Sequence, residues 1–138
     1  MTLVTDSGFQ PDDWTFGFVR YDQIAANDCV PVIAIDIPSD ANPDVLADRL
    51  SDLDLIRVDF PSFADGRGFT IARRLRLMGF TGRLRARGHV IADQYAMARR
   101  SGFDEVEIDE GLAARQPEAQ WLARANWQAH DYQSRVRG

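Results

Sequence analysis

Three runs of this chain put charge on one side of a strand and hydrocarbon on the other. In "LIRVDF" (55–60), Ile56, Val58 and Phe60 share one face, and Arg57 and Asp59 share the other. In "RLRARG" (83–88), Leu84 and Ala86 oppose Arg83, Arg85 and Arg87. In "DEVEID" (104–109), Val106 and Ile108 oppose Glu105, Glu107 and Asp109. This follows from the period of two that strand side chains keep. Helical patterns separate the runs. Ile71, Ala72, Leu75 and Met78 recur at helical spacing, and "HVIADQYAMARRSG" and "QPEAQWLARANWQAHDY" continue the alternation. Alternating strands and helices imply parallel strands joined by right-handed crossovers. A doubly wound sheet needs both faces apolar, so a charged face repeated on three strands predicts helices on one side only. The expected fold is α/β: a mainly parallel sheet of repeated β/α units in sequence order. It is like half of a TIM barrel, with charged residues on the concave face. A flavodoxin-like doubly wound sheet is the alternative.

At 138 residues the chain is expected to form a single domain, 1–138. Residues 1–29 read as a polar leader with a short strand in "WTFGFVRY" (14–21), and 30–138 as the β/α units, opened by the strand "VPVIAID" (30–36). Asp40 or Asn42 is placed to cap a following helix, with Pro43 in its first turn. The net charge of -5 gives no electrostatic case for a nucleic-acid partner. All 16 basic residues are arginine. This excludes Schiff-base lysine chemistry and a Walker-type phosphate lysine. Cys29 is the only cysteine, which rules out an internal disulfide or a multi-cysteine cage; it reads as a buried structural thiol. His89 and His130 are too few for a histidine-based metal site. No cofactor fingerprint is present, so none is expected. Nor is there a signal-peptide core or a run of membrane-spanning length, so a cytoplasmic protein without a membrane partner is expected.

In parallel β/α folds, binding and chemistry collect at the C-terminal ends of the strands. Asp59, "PSFADGRG" (61–68) and "GHVIADQ" (88–94) fall there. Gly66 and Gly68 allow positive φ or close backbone approach, and the loop feeds a helix N-terminus that favours anions. Arg67 adds a bidentate donor for a carboxylate, sulfur oxyanion or phosphate, with Asp65 beside it. The plainer reading is that Arg67 pairs with Asp65 or Asp59 and only fixes the loop. Gln94 falls on an apolar helical stripe and needs partners: a ligand, or a neighbouring loop backbone. The expected ligand-binding set is Asp59, Asp65, Gly66, Arg67, Gly68, Arg85 and Gln94. His89 and Asp93 are the candidates for general acid and base, histidine being the side chain that titrates nearest neutrality. The arginines between 73 and 76 read as a solvated helix face, and Trp121 and Trp127 as packing residues.

The ordered string Asp59 to Phe63, Asp65 to Thr70, Leu75–Arg76, Gly82 to Ala86, Asp93–Gln94 and Arg100 to Asp104 is more specific than any one motif. With Tyr132–Gln133 near the end, it resembles a bacterial family of unknown function associated with assimilatory sulfite reduction. The resemblance implies a probable oxidoreductase or accessory protein of that pathway, with sulfite reductase or another sulfur-assimilation protein as partner. The open edges of a partial barrel lead us to expect a homo-oligomer or such a heterocomplex. The alternative is a small enzyme acting on an anionic substrate at the strand ends.

Overall fold

A computed structural model describes residues 2–14, 17–21 and 34–125. Seven strands form one sheet: β1 (Thr2–Thr5), β2 (Gly8–Pro11), β3 (Val19–Arg20), β4 (Ala34–Ile37), β5 (Leu55–Phe60), β6 (Arg83–Gly88) and β7 (Glu105–Ile108). The helices are α1 (Arg67–Leu77), α2 (Tyr95–Ser101), α3 (Glu110–Arg115) and α4 (Glu118–Leu122). The strand order is β2-β1-β7-β6-β5-β4-β3. From β3 to β7 all neighbours are parallel and follow the sequence; β1 is antiparallel to both β7 and β2. The sheet is therefore mixed. Among the described strands β2 and β3 are its edges and do not pair with each other.

One face of the sheet is hydrocarbon. Val4, Ile35, Ile37, Ile56, Val58, Phe60, Leu84, Ala86, Val106 and Ile108 are buried in one cluster with Phe69, Ile71, Ala72 and Leu75 of α1, Tyr95 and Ala98 of α2, and Trp121 of α4. Helices thus cover one face, as the repeated charged face required. The flavodoxin-like alternative is overturned.

The other face carries a lattice of charges. Strand register puts Asp36, Arg57, Arg85 and Glu105 in one row, and Asp59, Arg87 and Glu107 in the next. Arg57 forks onto Asp36 at 2.5 and 2.8 Å. Glu107 then meets three arginines: Arg57 Nη1 at 3.2 Å, Arg85 Nη1 at 2.8 Å and Arg87 Nε at 3.3 Å. Arg85 is completely buried and also donates to Glu105 at 2.7 Å. Arg83 binds Glu105 and Asp13, both at 2.8–2.9 Å. Asp12, Asp13 and Phe18 lie over this lattice. Asp12 accepts from Arg85 at 3.2 Å, and the Phe18 ring stacks on the Arg57 guanidinium, 3.6 Å from its centroid. Burial works against the charged form of Arg57, but the hydrogen bond to Asp36 and the charges of Asp36 and Glu107 outweigh it. Its pKa sits above the ordinary guanidinium range. Apart from Asp59, every charge in these two rows is ion-paired within the chain, although one nitrogen of Arg85, Nη2, is buried without a hydrogen-bond partner among the described residues.

Several elements differ from expectation. Residues 2–11 form a hairpin docked on β7, not a loose leader. Its tight turn uses Gly8 at φ +106, and Tyr95 fixes it to α2 by donating to Asp6 at 2.5 Å. The expected first strand shrinks to β3, with residues 15–16 outside the described residues. The apolar run at 30–36 enters the described structure only at β4; Cys29, Trp127, His130 and Tyr132–Gln133 lie outside it. After β4, Asn42 does cap and Pro43 does open a turn, but only two short 3-10 turns form, Pro43–Leu46 and Leu50–Asp52. Asp, Asn and Ser side chains there compete with helical backbone bonds. The last helix does open at Pro117 and Glu118, as α4, but an unexpected helix, α3, capped by Asp109, precedes it. Arg76 is not solvated. It donates to the carbonyls of Phe80, Gly82 and Gly102, tying the end of α1 to the next two turns. Trp121 is buried packing, as expected.

Removing the shared carboxylate should leave three arginines without it. Glu107→Ala is expected to cost about 3–5 kcal/mol, the size seen when one partner of a buried ion pair is lost. Arg73→Ala, on an exposed helix face, should stay within about 0.5 kcal/mol. Urea unfolding of both variants checks this.

Candidate functional site

The strand ends are shaped by one aromatic ring. Phe60 closes β5 and packs on Phe69 and Phe103 at centroid distances of 5.0 and 5.7 Å. Gly68 passes directly over it: a Cβ there would stand 2.4 Å from the Phe60 ring. Close approach, not unusual φ, is what this glycine supplies. Gly66 has φ -87 and only an ordinary contact at the Cβ position, so it supplies neither positive φ nor close approach. Gly88 ends β6 at φ +109, where a Cβ would meet the Phe60 carbonyl at 2.7 Å.

The "DGRG" loop closes on itself. Arg67 donates to both Asp65 oxygens at 2.9 and 2.8 Å, and Ser39 donates to Asp65 at 2.9 Å. The Arg67 hydrogen bonds, from side chain and backbone, hold the Asp65 carboxyl well below the usual carboxylate range. This is the plainer of the two readings of Arg67: a clasp that fixes the loop. Gln94 also serves the loop, donating to the Phe63 carbonyl at 2.9 Å and accepting from Ile91 N–H at 3.0 Å. A groove of about 440 Å³ lies between residues 39–43 and α1. Its two arginines, 67 and 74, are already clasped by Asp65 and Asp44. Arg85 cannot meet a ligand in any of these clefts, because it is 0 % exposed and locked to Glu105 and Glu107.

A second place gathers groups that are not so committed. A cleft of about 230 Å³ opens at the ends of β5, β6 and β7, lined by Asp59, Arg87, His89, Asp109, Leu112 and Arg115 among others. An adjoining cleft of about 320 Å³ shares Asp59 and Arg87 and runs toward Ile37, Pro38 and Arg57. Asp36, Glu105 and Glu107 of the same sheet face are all ion-paired. Among the described residues, the Asp59 carboxylate has no hydrogen bond or ion pair. Its cross-strand neighbour is Arg87, but Arg87 leans to Glu107 instead. Arg115 likewise has no ion pair among the described residues. It stands beside Asp109 across Gly111, and Asp109 spends one oxygen capping α3 at Leu112 N–H, 2.7 Å away.

His89 is held at the rim. Its N–H donates to the Phe60 carbonyl at 2.9 Å, and its ring meets Phe63 edge-on at 5.2 Å. Its Nδ1 lies 3.3 Å from the same carbonyl. A carbonyl only accepts, so this contact is a hydrogen bond only when Nδ1 carries the proton, the tautomer that leaves the Nε2 lone pair free. Asp93, the expected partner of His89, is not beside it in any hydrogen bond. It is 73 % exposed and pairs with Arg124 at 2.7 Å.

Residues 34–138 match a family described as a bacterial protein of unknown function (DUF934). The chain belongs to this family. The matched span contains every residue of the 230 Å³ cleft, while Asp12, Asp13 and Phe18, which cover the charged lattice, lie before it. A comparison with curated proteins finds no match. Among the described residues no helix is long and apolar enough to cross a membrane.

Of the expected site residues, Asp59 and His89 line the cleft; Asp65, Arg67, Gly68 and Gln94 build the loop beside it. Arg87, Asp109 and Arg115 were missed. Arg87 was visible on the charged strand face, but nothing in its spacing separates it from Arg83 or Arg85.

The clasp gives a pH signature. A carboxyl depressed in the folded state stabilises it above the unfolded carboxyl pKa of about 4, and loses that contribution as pH falls through its own lower value. The Asp65 side-chain resonance should therefore titrate well below the ordinary carboxylate range. In Arg67→Ala it should return to the ordinary range, as carbon-detected NMR would show.

Proposed function

We propose that the chain is a small enzyme acting on an anionic molecule bound at the C-terminal ends of β5, β6 and β7. The observation that supports it is the leftover charge. On a sheet face whose other carboxylates are paired, Asp59 stands unpaired at the junction of two clefts, with Arg115 uncommitted across the smaller one. A half-buried group without a partner is costly, and its retention at a cleft is a mark of function. The position also fits: β/α barrels and half-barrels, which this one-sided sheet resembles, use the same strand ends.

In this reading Arg87 and Arg115 hold the anionic group. Arg87 approaches Glu107 through Nε in an ion pair at 3.3 Å, and its terminal nitrogens make no hydrogen bond or ion pair among the described residues. His89, oriented by the Phe60 carbonyl and the Phe63 ring, moves the proton at Nε2. Asp59 faces the hydrogen-donating side of the substrate. Sulfite is small enough for the cleft, so a role in sulfite metabolism, alone or with a partner of that pathway, is one form of the proposal.

Thermal unfolding with sulfite, sulfate, phosphate and acetate tests it. An anion at a hundred times its Kd raises stability by about 2.7 kcal/mol. At least one should do so, and Arg115→Ala, a change at an exposed side chain, should abolish the shift while leaving the fold intact. If no anion shifts the transition, or Arg115→Ala keeps the full shift, the strand-end site is wrong.

A further inference from the structure

We infer that the molecule this cleft prefers is a zwitterion, an α-amino acid or its close equivalent, bound more tightly than a simple anion; this rests on the site proposed above. The lining charges alternate across the strand ends. Asp59 lies on β5, Arg87 on β6, and Asp109 follows β7 with Arg115 beside it. Two carboxylates and two guanidiniums give no net charge. A plain anion seated between Arg87 and Arg115 would lie next to Asp59, which has no counter-charge of its own. That contact is repulsive, and the partly dry surroundings make it more so. An ammonium on the same ligand removes the problem. Its N–H groups donate to Asp59, the carboxylate accepts from the two arginines, and every charge in the cleft is then paired.

Size agrees. A volume of about 230 Å³ is roughly eight waters' worth, which suits an amino acid. The adjoining cleft continues past the Asp59–Arg87 ridge to Ile37 and Pro38, giving the side chain a place partly lined by hydrocarbon. Asp59 is then a specificity residue: it tells an amino acid from the same acid without its amine. A site built to satisfy a donor rejects the analogue that lacks it, because the acceptor is left unpaired.

Calorimetric titration of the full chain with alanine, propionate and lactate reads this directly. Alanine should bind about tenfold or more tightly than propionate, the worth of one hydrogen bond to a charged group, with lactate between them. In Asp59→Asn, an isosteric change, alanine should fall to the level of propionate. The comparison of the three ligands on the unaltered protein stands even if that variant fails to fold. Equal binding of alanine and propionate, both lost in Arg115→Ala, would overturn the zwitterion and keep the anion site. Binding of none of the three, with no anion shift either, would overturn both.

Discussion

Glu107 is the residue on which the arrangement turns. It is 2 % exposed in its side chain and is ion-paired with three arginines from two strands, β5 and β6. Arg57 and Arg85 are cross-strand neighbours of like charge, an arrangement that repels unless an anion stands between them. Glu107 is that anion, and it reaches them because β5, β6 and β7 lie side by side in sequence order. A charged sheet face of this kind cannot tolerate a slipped register. A shift by one residue would bring the arginines to the helix side and the hydrocarbon to the other. The lattice therefore specifies the fold as much as it stabilises it. Its stabilising share is offset by desolvation, as for any buried ion pair.

The same clasp decides what the strand ends have to offer. Arg87 would be the natural partner of Asp59, being directly opposite it, yet its Nε is drawn to Glu107. Asp59 is left over. On the far side, Gly68 over the Phe60 ring and Gly88 against the Phe60 carbonyl bring two loops close without filling the space between them. His89 inherits its orientation from that carbonyl. Packing below and pairing behind thus leave a small polar cleft in front.

The part of the fold that repeats was legible in the sequence. Alternation within 55–60, 83–88 and 104–109 gave the strand faces, and one charged face gave the one-sided helices. What did not repeat was hidden. In residues 2–11, Leu3 and Val4 are both buried because β1 lies between β7 and β2, so the alternation that marks a half-buried strand is absent. Arg76 looked solvated because helical spacing cannot show that three carbonyls wait at the end of α1. The site was legible by region only. Sequence points to strand ends and to loops with glycine, but which charges remain free depends on how each arginine divides its hydrogen bonds in space. Arg67 and Asp65 formed the most conspicuous motif and satisfy each other. Arg115 sits in an unremarkable helix and does not.

The claim at the centre is that function resides where the charge lattice leaves groups unpaired, and not at the self-clasped loop. Amide spectra of the nitrogen-labelled protein, recorded as alanine and then sulfite are added, test this most directly. The account predicts shifts gathered at residues 59–60, 87–89 and 109–115, around the strand-end cleft. Shifts confined to residues 39–43 and 65–70, beside α1, with the cleft unchanged, would contradict it.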